Sequence, residues 1–167
     1  MNRTIRDATD ADFTAVLRMN RESETVLSPL SRDELQILAA QAWYLRLACF
    51  DGEVQGFLLA LRAGAAYESP NYRWFADRFD DFVYIDRIVI DATVRHSGLA
   101  TLLYADLLGR ARELGVARVT CEYDIDPPNE ASRRFHDGFG FVEIGSQRVA
   151  GGKKAVSLQE LRLPAAR

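Results

Sequence analysis

The sequence predicts an α/β fold in which a mixed sheet of about seven strands carries helices on both faces. Strand-like apolar runs alternate along the chain with segments of helical periodicity, and Asp51-Gly52 joins two such runs through a tight turn. The chain has 167 residues, 48% of them hydrophobic and 27% charged, which suits one domain with a substantial core. We therefore expect a single domain over residues 1–167.

The first part of the chain predicts a strand, two helices and a hairpin. These elements are expected at residues 2–6, 10–24, 31–41, 44–50 and 53–61. Thr9-Asp10 offers an N-cap for the first helix, and Ser31 with Glu34 forms a capping box for the second. Asp51-Gly52 is a strong hairpin signal because both turn residues tolerate positive φ.

The segment over residues 62–81 shows no clear period and is predicted to be an irregular, functional loop. It carries five aromatic residues among polar ones: Tyr67, Tyr72, Trp74, Phe75 and Phe79. These rings either pack the segment onto the sheet or line a substrate pocket.

The rest of the chain predicts a central strand, a long helix, a further strand, a short helix and a final hairpin. They are expected at residues 84–90, 97–114, 117–123, 129–138, 141–149 and 155–163. Gly115 suits the end of the long helix, and Pro127-Pro128 suits a turn before the short one. The buried stripe of the long helix is expected to be Leu99, Leu102, Leu103, Leu107 and Leu108.

Composition argues against several classes of function. A net charge of −3 without a basic stripe disfavours nucleic-acid binding. The chain shows neither the apolar run of a membrane span nor a signal peptide, so we expect a soluble, cytoplasmic protein. Cys49 and Cys121 lie in apolar runs, as buried thiols do, and the two histidines have no ligand cluster beside them. We therefore expect no disulfide and no metal.

Residues 95–101, called here the 95–101 turn, join the central strand to the long helix and carry the pattern Arg-x-x-Gly-x-Ala. The small residues Gly98 and Ala100 let an anion approach the main chain. The helix that follows presents unpaired N–H groups and the positive end of its dipole. Arg95 adds a guanidinium that can chelate phosphate oxygens. The turn therefore predicts a diphosphate site.

A second block, from Asn129 to Phe141, is similar to the pattern Asn-x-x-Ala-x-x-Phe-Tyr-x-x-x-Gly-Phe. With the 95–101 turn it resembles the GCN5-related N-acetyltransferases (GNAT), and the resemblance extends over almost the whole chain. His136 departs from the family pattern because a tyrosine is usual at that position.

The resemblance implies a mixed, mostly antiparallel GNAT-like sheet and acetyl-coenzyme A (acetyl-CoA) as co-substrate. It implies that the main chain of Ile88, Val89 and Ile90 pairs with the pantetheine arm, and that one N–H there polarises the thioester carbonyl. Asn129 would hydrogen-bond the pantetheine amide. The other coenzyme-binding residues implied are Arg95, His96, Ser97, Gly98, Leu99, Ala100, Thr101 and Phe135.

Two carboxylates are candidates for the base that takes a proton from the attacking amine, whose pKa of about 10 keeps it charged at neutral pH. Asp86, on the same strand face as Tyr84, is the first choice, and Glu122 is the second. Asp86 has an alternative role as a structural ion pair with Arg87.

His136 also has two interpretations. By resemblance it protonates or hydrogen-bonds the departing thiolate, since it replaces the family's tyrosine. Alternatively it is a packed histidine that caps its own helix.

The function expected is an acetyl-CoA-dependent N-acetyltransferase that acts on a primary amine of a small molecule or a peptide. The alternative is a non-catalytic acyl-CoA binder or sensor. No nucleic-acid or membrane partner is expected, and the resemblance leaves room for a homodimer paired through the C-terminal strands.

Overall fold

A computed structural model describes residues 1–165 of the chain. The strands are β1 (Arg3–Asp7), β2 (Tyr44–Phe50), β3 (Glu53–Arg62), β4 (Val83–Ile90), β5 (Arg118–Asp126), β6 (Val142–Val149) and β7 (Lys154–Arg162). The helices are α1 (Phe13–Glu22), α2 (Arg32–Gln41), α3 (Pro70–Ala76), α4 (Leu99–Glu113) and α5 (Glu130–Phe139). Among these described residues, no helix combines the length and the apolar character needed to cross a bilayer.

The seven strands form one mixed sheet in the order β1-β2-β3-β4-β5-β7-β6. The β1–β2, β2–β3, β5–β7 and β6–β7 pairs are antiparallel. The β4–β5 pair is parallel, with Val83 opposite Val119 and Tyr84 opposite Thr120. The predicted fold class, a mixed and mostly antiparallel sheet of about seven strands, is therefore confirmed.

The chain divides into two compact units. The first unit contains Met1–Leu61 and Ile85–Arg110, and the second contains Arg62–Tyr84 and the described residues from Ala111 onward. The core of the first unit includes the fully buried side chains of Val16, Met19, Leu35, Leu47, Phe57 and Leu103. The core of the second includes those of Phe75, Phe82, Tyr84, Val119 and Leu158.

Local signals fix the start of α2 and the β2–β3 turn as predicted. The amide of Glu34 donates to Ser31 Oγ at 3.1 Å, and the amide of Ser31 donates to Glu34 Oε2 at 2.7 Å. Asp51 has φ +49° and Gly52 has φ +89°, the backbone that a two-residue hairpin turn of type I′ requires.

The predicted helix over residues 10–24 is shorter than expected. A 3₁₀ turn occupies Asp10–Asp12, and α1 begins only at Phe13 and ends at Glu22. The Asp12 carboxylate accepts two hydrogen bonds at 2.8 Å from the Arg6 guanidinium, and it also accepts from the amide of Thr9. The bonds with Arg6 tie this 3₁₀ turn to β1.

The segment over residues 62–81 is not irregular throughout, since it contains α3. Pro70 occupies the first turn of α3, where a missing N–H costs nothing, so proline starts this helix rather than preventing it. Tyr72 and Phe75, three residues apart, are 2% and 0% exposed and lie within 7 Å of Phe82, centroid to centroid. For these two rings the packing interpretation is confirmed.

The Trp74 ring packs closely against Gly145 on β6. A Cβ atom added to Gly145 would lie 2.5 Å from Trp74 Cζ2, which is closer than any real contact. Arg78 covers the ring, with its guanidinium carbon 3.7 Å from the ring centroid. Glycine at position 145 is therefore a packing requirement of the second unit.

We predict that Gly145→Ala lowers the free energy of unfolding by about 1–3 kcal/mol, because the new methyl group must displace Trp74. Gly138→Ala is the matched control, since its Cβ would meet nothing within 4 Å and alanine favours a helix by up to about 1 kcal/mol. Urea unfolding at constant m-value measures both. Equal midpoints for wild type and Gly145→Ala would contradict this account of Trp74.

Candidate active site

The 95–101 turn begins directly after β4 and a short 3₁₀ turn at Ala92–Val94. Asp91 caps that 3₁₀ turn, accepting from the Thr93 amide at 3.0 Å and from the Thr93 hydroxyl at 2.7 Å. His96 then has φ +64° and Gly98 has φ +84°. Two residues in the left-handed conformation, with only Ser97 between them, form a backbone concavity of the kind that binds anions.

The first amides of α4 complete this concavity. The helical ladder begins with the Leu102 amide donating to the Gly98 carbonyl at 3.0 Å. The N–H groups of residues 99–101 precede the ladder and therefore have no partner within the helix. An anion at this point receives several backbone N–H groups and the positive end of the α4 dipole.

Ser97 provides a further sign that the turn is built for a ligand. Its Oγ is buried, and among residues 1–165 it has no hydrogen-bond partner. A buried hydroxyl without a partner is costly, and a phosphate oxygen would satisfy it. The residues of the 95–101 turn therefore fit a diphosphate group.

The end of β4 lies beside the 95–101 turn. Val89 is 4% exposed, whereas Ile88 and Ile90 are half-buried. Gly56 on β3 allows close packing here, because a Cβ on it would lie 2.9 Å from the Val89 carbonyl oxygen. A small cavity at this point is lined by Met19, Glu22, Val89, Ile90, Asp91 and Arg95. The structure thus brings together two of the predicted coenzyme-binding groups, the end of β4 and Arg95.

Asp86, the first predicted base, forms a buried ion pair. Its Oδ2 accepts from Arg87 Nε at 2.6 Å, and the two side chains are 5% and 6% exposed. The geometry therefore matches the structural ion pair that the sequence left open.

Arg87 also fixes the segment that follows α1. Its Nη1 donates to Asn20 Oδ1 at 2.9 Å and to the Ser28 carbonyl at 3.3 Å. Asn20 is 1% exposed, and its side-chain NH₂ group donates to the same Ser28 carbonyl at 3.2 Å. The Asp86–Arg87 pair is thus part of a network that holds the α1–α2 connection in the first unit.

Glu122, the second predicted base, lies on β5 in the second unit. The hydroxyl of Tyr84 lies 2.9 and 2.8 Å from the two carboxylate oxygens and shares its hydrogen between them. The Tyr84 ring contacts Tyr72 edge-on at 5.5 Å between centroids, and Tyr67 lies 5.7 Å from Tyr72. Glu122 is therefore held by a neutral donor beside a cluster of tyrosines.

His136 lies on α5 and is 4% exposed. Its Nδ1 is 2.7 Å from the Ser132 carbonyl oxygen, which can only accept a hydrogen bond, so we assign the proton of the neutral ring to Nδ1. Burial lowers the pKa of His136 below its usual range, although the Ser132 contact and the charge of Asp137 oppose this effect. The imidazole is therefore neutral at pH 7.

Aromatic rings surround His136. Ring centroids of Tyr123, Phe135 and Phe141 lie between 5.3 and 5.7 Å from that of His136. This surrounding matches the alternative of a packed histidine that bonds to its own helix. Phe135, predicted to bind the coenzyme, is half-buried and also contacts Phe139 edge-on at 5.2 Å between centroids.

Asn129 caps α5 and shares this helix with the two predicted residues Phe135 and His136. Its Oδ1 accepts from the Ser132 amide at 3.1 Å. Capping uses the oxygen of the side-chain amide and leaves the NH₂ group as the donor for a ligand carbonyl.

Two arrangements were not predicted. In the second unit, Gln159 donates to Tyr123 Oη at 3.2 Å and to Ser157 Oγ at 2.6 Å, and Ser157 donates to Glu143. In the first unit, Arg3 contacts the 95–101 turn. No local pattern could have revealed the contacts with Tyr123, Glu143 and Arg3, since these partners are far apart in sequence. Among residues 1–165, no group of three His, Cys, Asp or Glu side chains could hold a metal ion.

Comparison with known proteins identifies similar sequences and folds. The chain matches the model of the acetyltransferase (GNAT) family over residues 5–141. The ribosomal-protein-S18-alanine N-acetyltransferase of Escherichia coli is 16% identical with a TM-score of 0.76, covering 99% of this chain and 97% of that chain.

Two further structures show the same fold. Ard1 from Thermoplasma volcanium is 18% identical with a TM-score of 0.79, covering 98% of this chain and 99% of its own. YncA from Salmonella typhimurium, solved with its cofactor acetyl-CoA, is 18% identical with a TM-score of 0.74, covering 100% of this chain and 97% of its own.

The lowered pKa of His136 predicts a pH-dependent stability. The unfolded chain protonates this histidine more readily than the folded chain does, so its stabilising effect is complete above the usual pKa of about 6.5 and is lost as the pH falls. We expect the free energy of unfolding to fall more steeply from pH 7.5 to 5.5 in wild type than in His136→Phe, by up to about 1.4 kcal/mol per pH unit. Denaturant titrations at each pH measure both slopes. Parallel slopes would show that the ring is not buried in its neutral form.

Proposed function

The chain belongs to the acetyltransferase (GNAT) family, and from this premise we propose that it transfers an acetyl group from acetyl-CoA to a primary amine of a small molecule or a peptide. The family uses acetyl-CoA as its co-substrate. The observation that carries the proposal is the 95–101 turn, where two left-handed residues, unpaired amides and the buried Ser97 hydroxyl lie together.

We assign the binding of coenzyme A (CoA) to groups already described. The amides at the start of α4, Ser97 Oγ and Arg95 would hold the diphosphate. The main chain of Ile88, Val89 and Ile90 would pair with the pantetheine arm, and the NH₂ group of Asn129 would donate to one of its carbonyl groups. Acetyl-CoA, when bound, supplies a thioester whose acyl carbon is open to attack by an uncharged amine.

Glu122 is the carboxylate that we propose as proton acceptor for the amine. Protonation of Asp86 would leave the buried Arg87 charge without its partner, which is energetically costly. Glu122 accepts a hydrogen bond from the neutral Tyr84 phenol, a donor that can stay in place whether the carboxylate is charged or protonated. In this proposal Asp86 is a positioning residue: it orients Arg87, whose guanidinium holds the α1–α2 connection.

His136 is proposed to hold α5 in place rather than to protonate the thiolate. Its Nδ1 proton is engaged by the Ser132 carbonyl, and a charged imidazole would be poorly solvated among three aromatic rings. The thiolate then leaves without a proton from this side chain.

The same geometry favours a second candidate function, a non-catalytic binder or sensor of acyl-CoA. A family member without a proton donor at this position can keep the diphosphate site and lack turnover. Acceptor-dependent thiol release separates the two functions.

The test of the proposed function combines calorimetric titration with CoA and a thiol-release assay on acetyl-CoA over a panel of amines. We expect binding by the wild-type chain and thiol release that depends on an amine. Binding without release for any amine would favour the sensor, and no binding would contradict both functions.

Variants at two glycines of the same region sharpen this test. Gly98→Ala should weaken CoA binding at least tenfold and Gly98→Glu should abolish it, because φ is +84° and the new Cβ would lie 2.8 Å from Arg3 Nη1. Gly109→Ala, also on α4, is the matched control, since its Cβ would meet nothing within 4 Å. Calorimetry measures the affinities, and wild-type affinity in Gly98→Glu would refute the diphosphate site.

The two carboxylates predict opposite responses to neutralisation. Asp86→Asn should lower the free energy of unfolding by about 3 kcal/mol, since it removes the charged partner from the buried Arg87–Asp86 ion pair. Glu122→Gln should keep stability and CoA affinity but lower kcat by about 100-fold. Unfolding curves and kcat against pH measure these effects. A stable but inactive Asp86→Asn, with an active Glu122→Gln, would reverse the assignment.

A further inference from the structure

Arg3, the first residue of β1, contacts the 95–101 turn from the far end of the sequence. Its Nη1 donates to the Ser97 carbonyl oxygen at 2.8 Å. The same nitrogen lies 2.8 Å from the point where a Cβ on Gly98 would stand. The guanidinium therefore packs against the backbone of Ser97 and of Gly98, and Gly98 is one of the two left-handed residues that form the anion concavity.

Hydrogen bonds and strand pairing hold the backbone around Arg3 in place. Arg3 pairs with Phe50 in the β1–β2 register. One residue earlier, the Asn2 amide donates to Asp51 Oδ1 at 2.7 Å, and the Asp51 amide donates to the Asn2 carbonyl at 2.8 Å. The backbone before Arg3 is thus fixed by the β2–β3 turn and the backbone from Arg3 onward by β2, while Arg3 itself is exposed.

Within the described part of the chain, no carboxylate neutralises the positive charge of Arg3. Among residues 1–165, neither Arg3 nor Arg95 forms an ion pair with a carboxylate. Arg6, on the same strand, is instead bound by both oxygens of Asp12 at 2.8 Å. The two arginines that adjoin the turn are therefore the ones whose charge is available to an anion there.

We propose that Arg3 is a positioning residue for the diphosphate of CoA: it holds the Ser97 carbonyl, keeps the turn in its left-handed form and adds an uncompensated charge beside it. This inference rests on the proposed function. It makes coenzyme binding depend on β1, an element remote in sequence from both family motifs. A forked guanidinium suits this double task better than an ammonium.

The test is calorimetric titration of Arg3→Gln, Arg3→Lys and wild type with CoA, 3′-dephospho-CoA and pantetheine. We expect Arg3→Gln to weaken CoA and 3′-dephospho-CoA alike, about tenfold, because both carry the diphosphate. Arg3→Lys should recover part of the loss through its charge. Pantetheine, which has no phosphate, should bind all three chains equally.

Arg6→Gln is the matched control, since it removes the same group from the same strand. It loses the Asp12 pair and should keep wild-type affinity for all three ligands. Thermal unfolding of each variant without ligand separates a folding defect from a binding defect, and Arg3→Gln should unfold within about 2 °C of wild type.

Each other outcome overturns a stated part of the account. Unchanged CoA affinity in Arg3→Gln, with wild type binding normally, would overturn the role of Arg3 alone. A loss seen with CoA but not with 3′-dephospho-CoA would place Arg3 on the 3′-phosphate and also overturn it. An equal loss in Arg6→Gln would make the effect one of strand stability. Absence of CoA binding by the wild-type chain would overturn the proposed function and this inference together.

Discussion

The left-handed backbone at the start of α4 is the constraint on which the rest of the proposed site depends. His96 and Gly98 both have positive φ, and this directs the amides that follow toward one point. Asp91 fixes the backbone that leads into the 95–101 turn. It caps the 3₁₀ turn at Ala92–Val94, and its carboxylate pairs with Arg18 at 3.2 Å. A site that binds charge through the main chain needs such support, because the backbone amides must already be in place when the anion arrives.

Burial and hydrogen-bond partners, rather than residue type, separate the roles of the ionisable side chains. Asp86 forms an ion pair with the buried Arg87 guanidinium, whereas Glu122 accepts a hydrogen bond from the neutral Tyr84 phenol. His136 is neutral because it is buried among rings and bonded to its own helix. A histidine in place of the family's tyrosine thus need not take over a tyrosine's chemistry.

Local signals in the sequence predicted the elements that local interactions specify. The Ser31–Glu34 capping box, the Asp51-Gly52 turn and the 95–101 turn all appear as expected, since each depends on residues close in the chain. The helix α3 was missed because its seven residues are too short to give the segment a clear helical period; the favourable signal was Pro70, since proline suits a helix start. The contacts of Arg3 with Ser97 and of Arg87 with Asn20 join residues far apart in sequence, and no pattern in one sequence specifies them.

A crystal structure of the chain with CoA bound tests the central claim most directly. The account predicts diphosphate oxygens within about 3.2 Å of the backbone N–H groups at the start of α4 and of Ser97 Oγ, with the turn unchanged in conformation. A diphosphate bound elsewhere, or a Ser97 hydroxyl that remains without a partner in the complex, would contradict it.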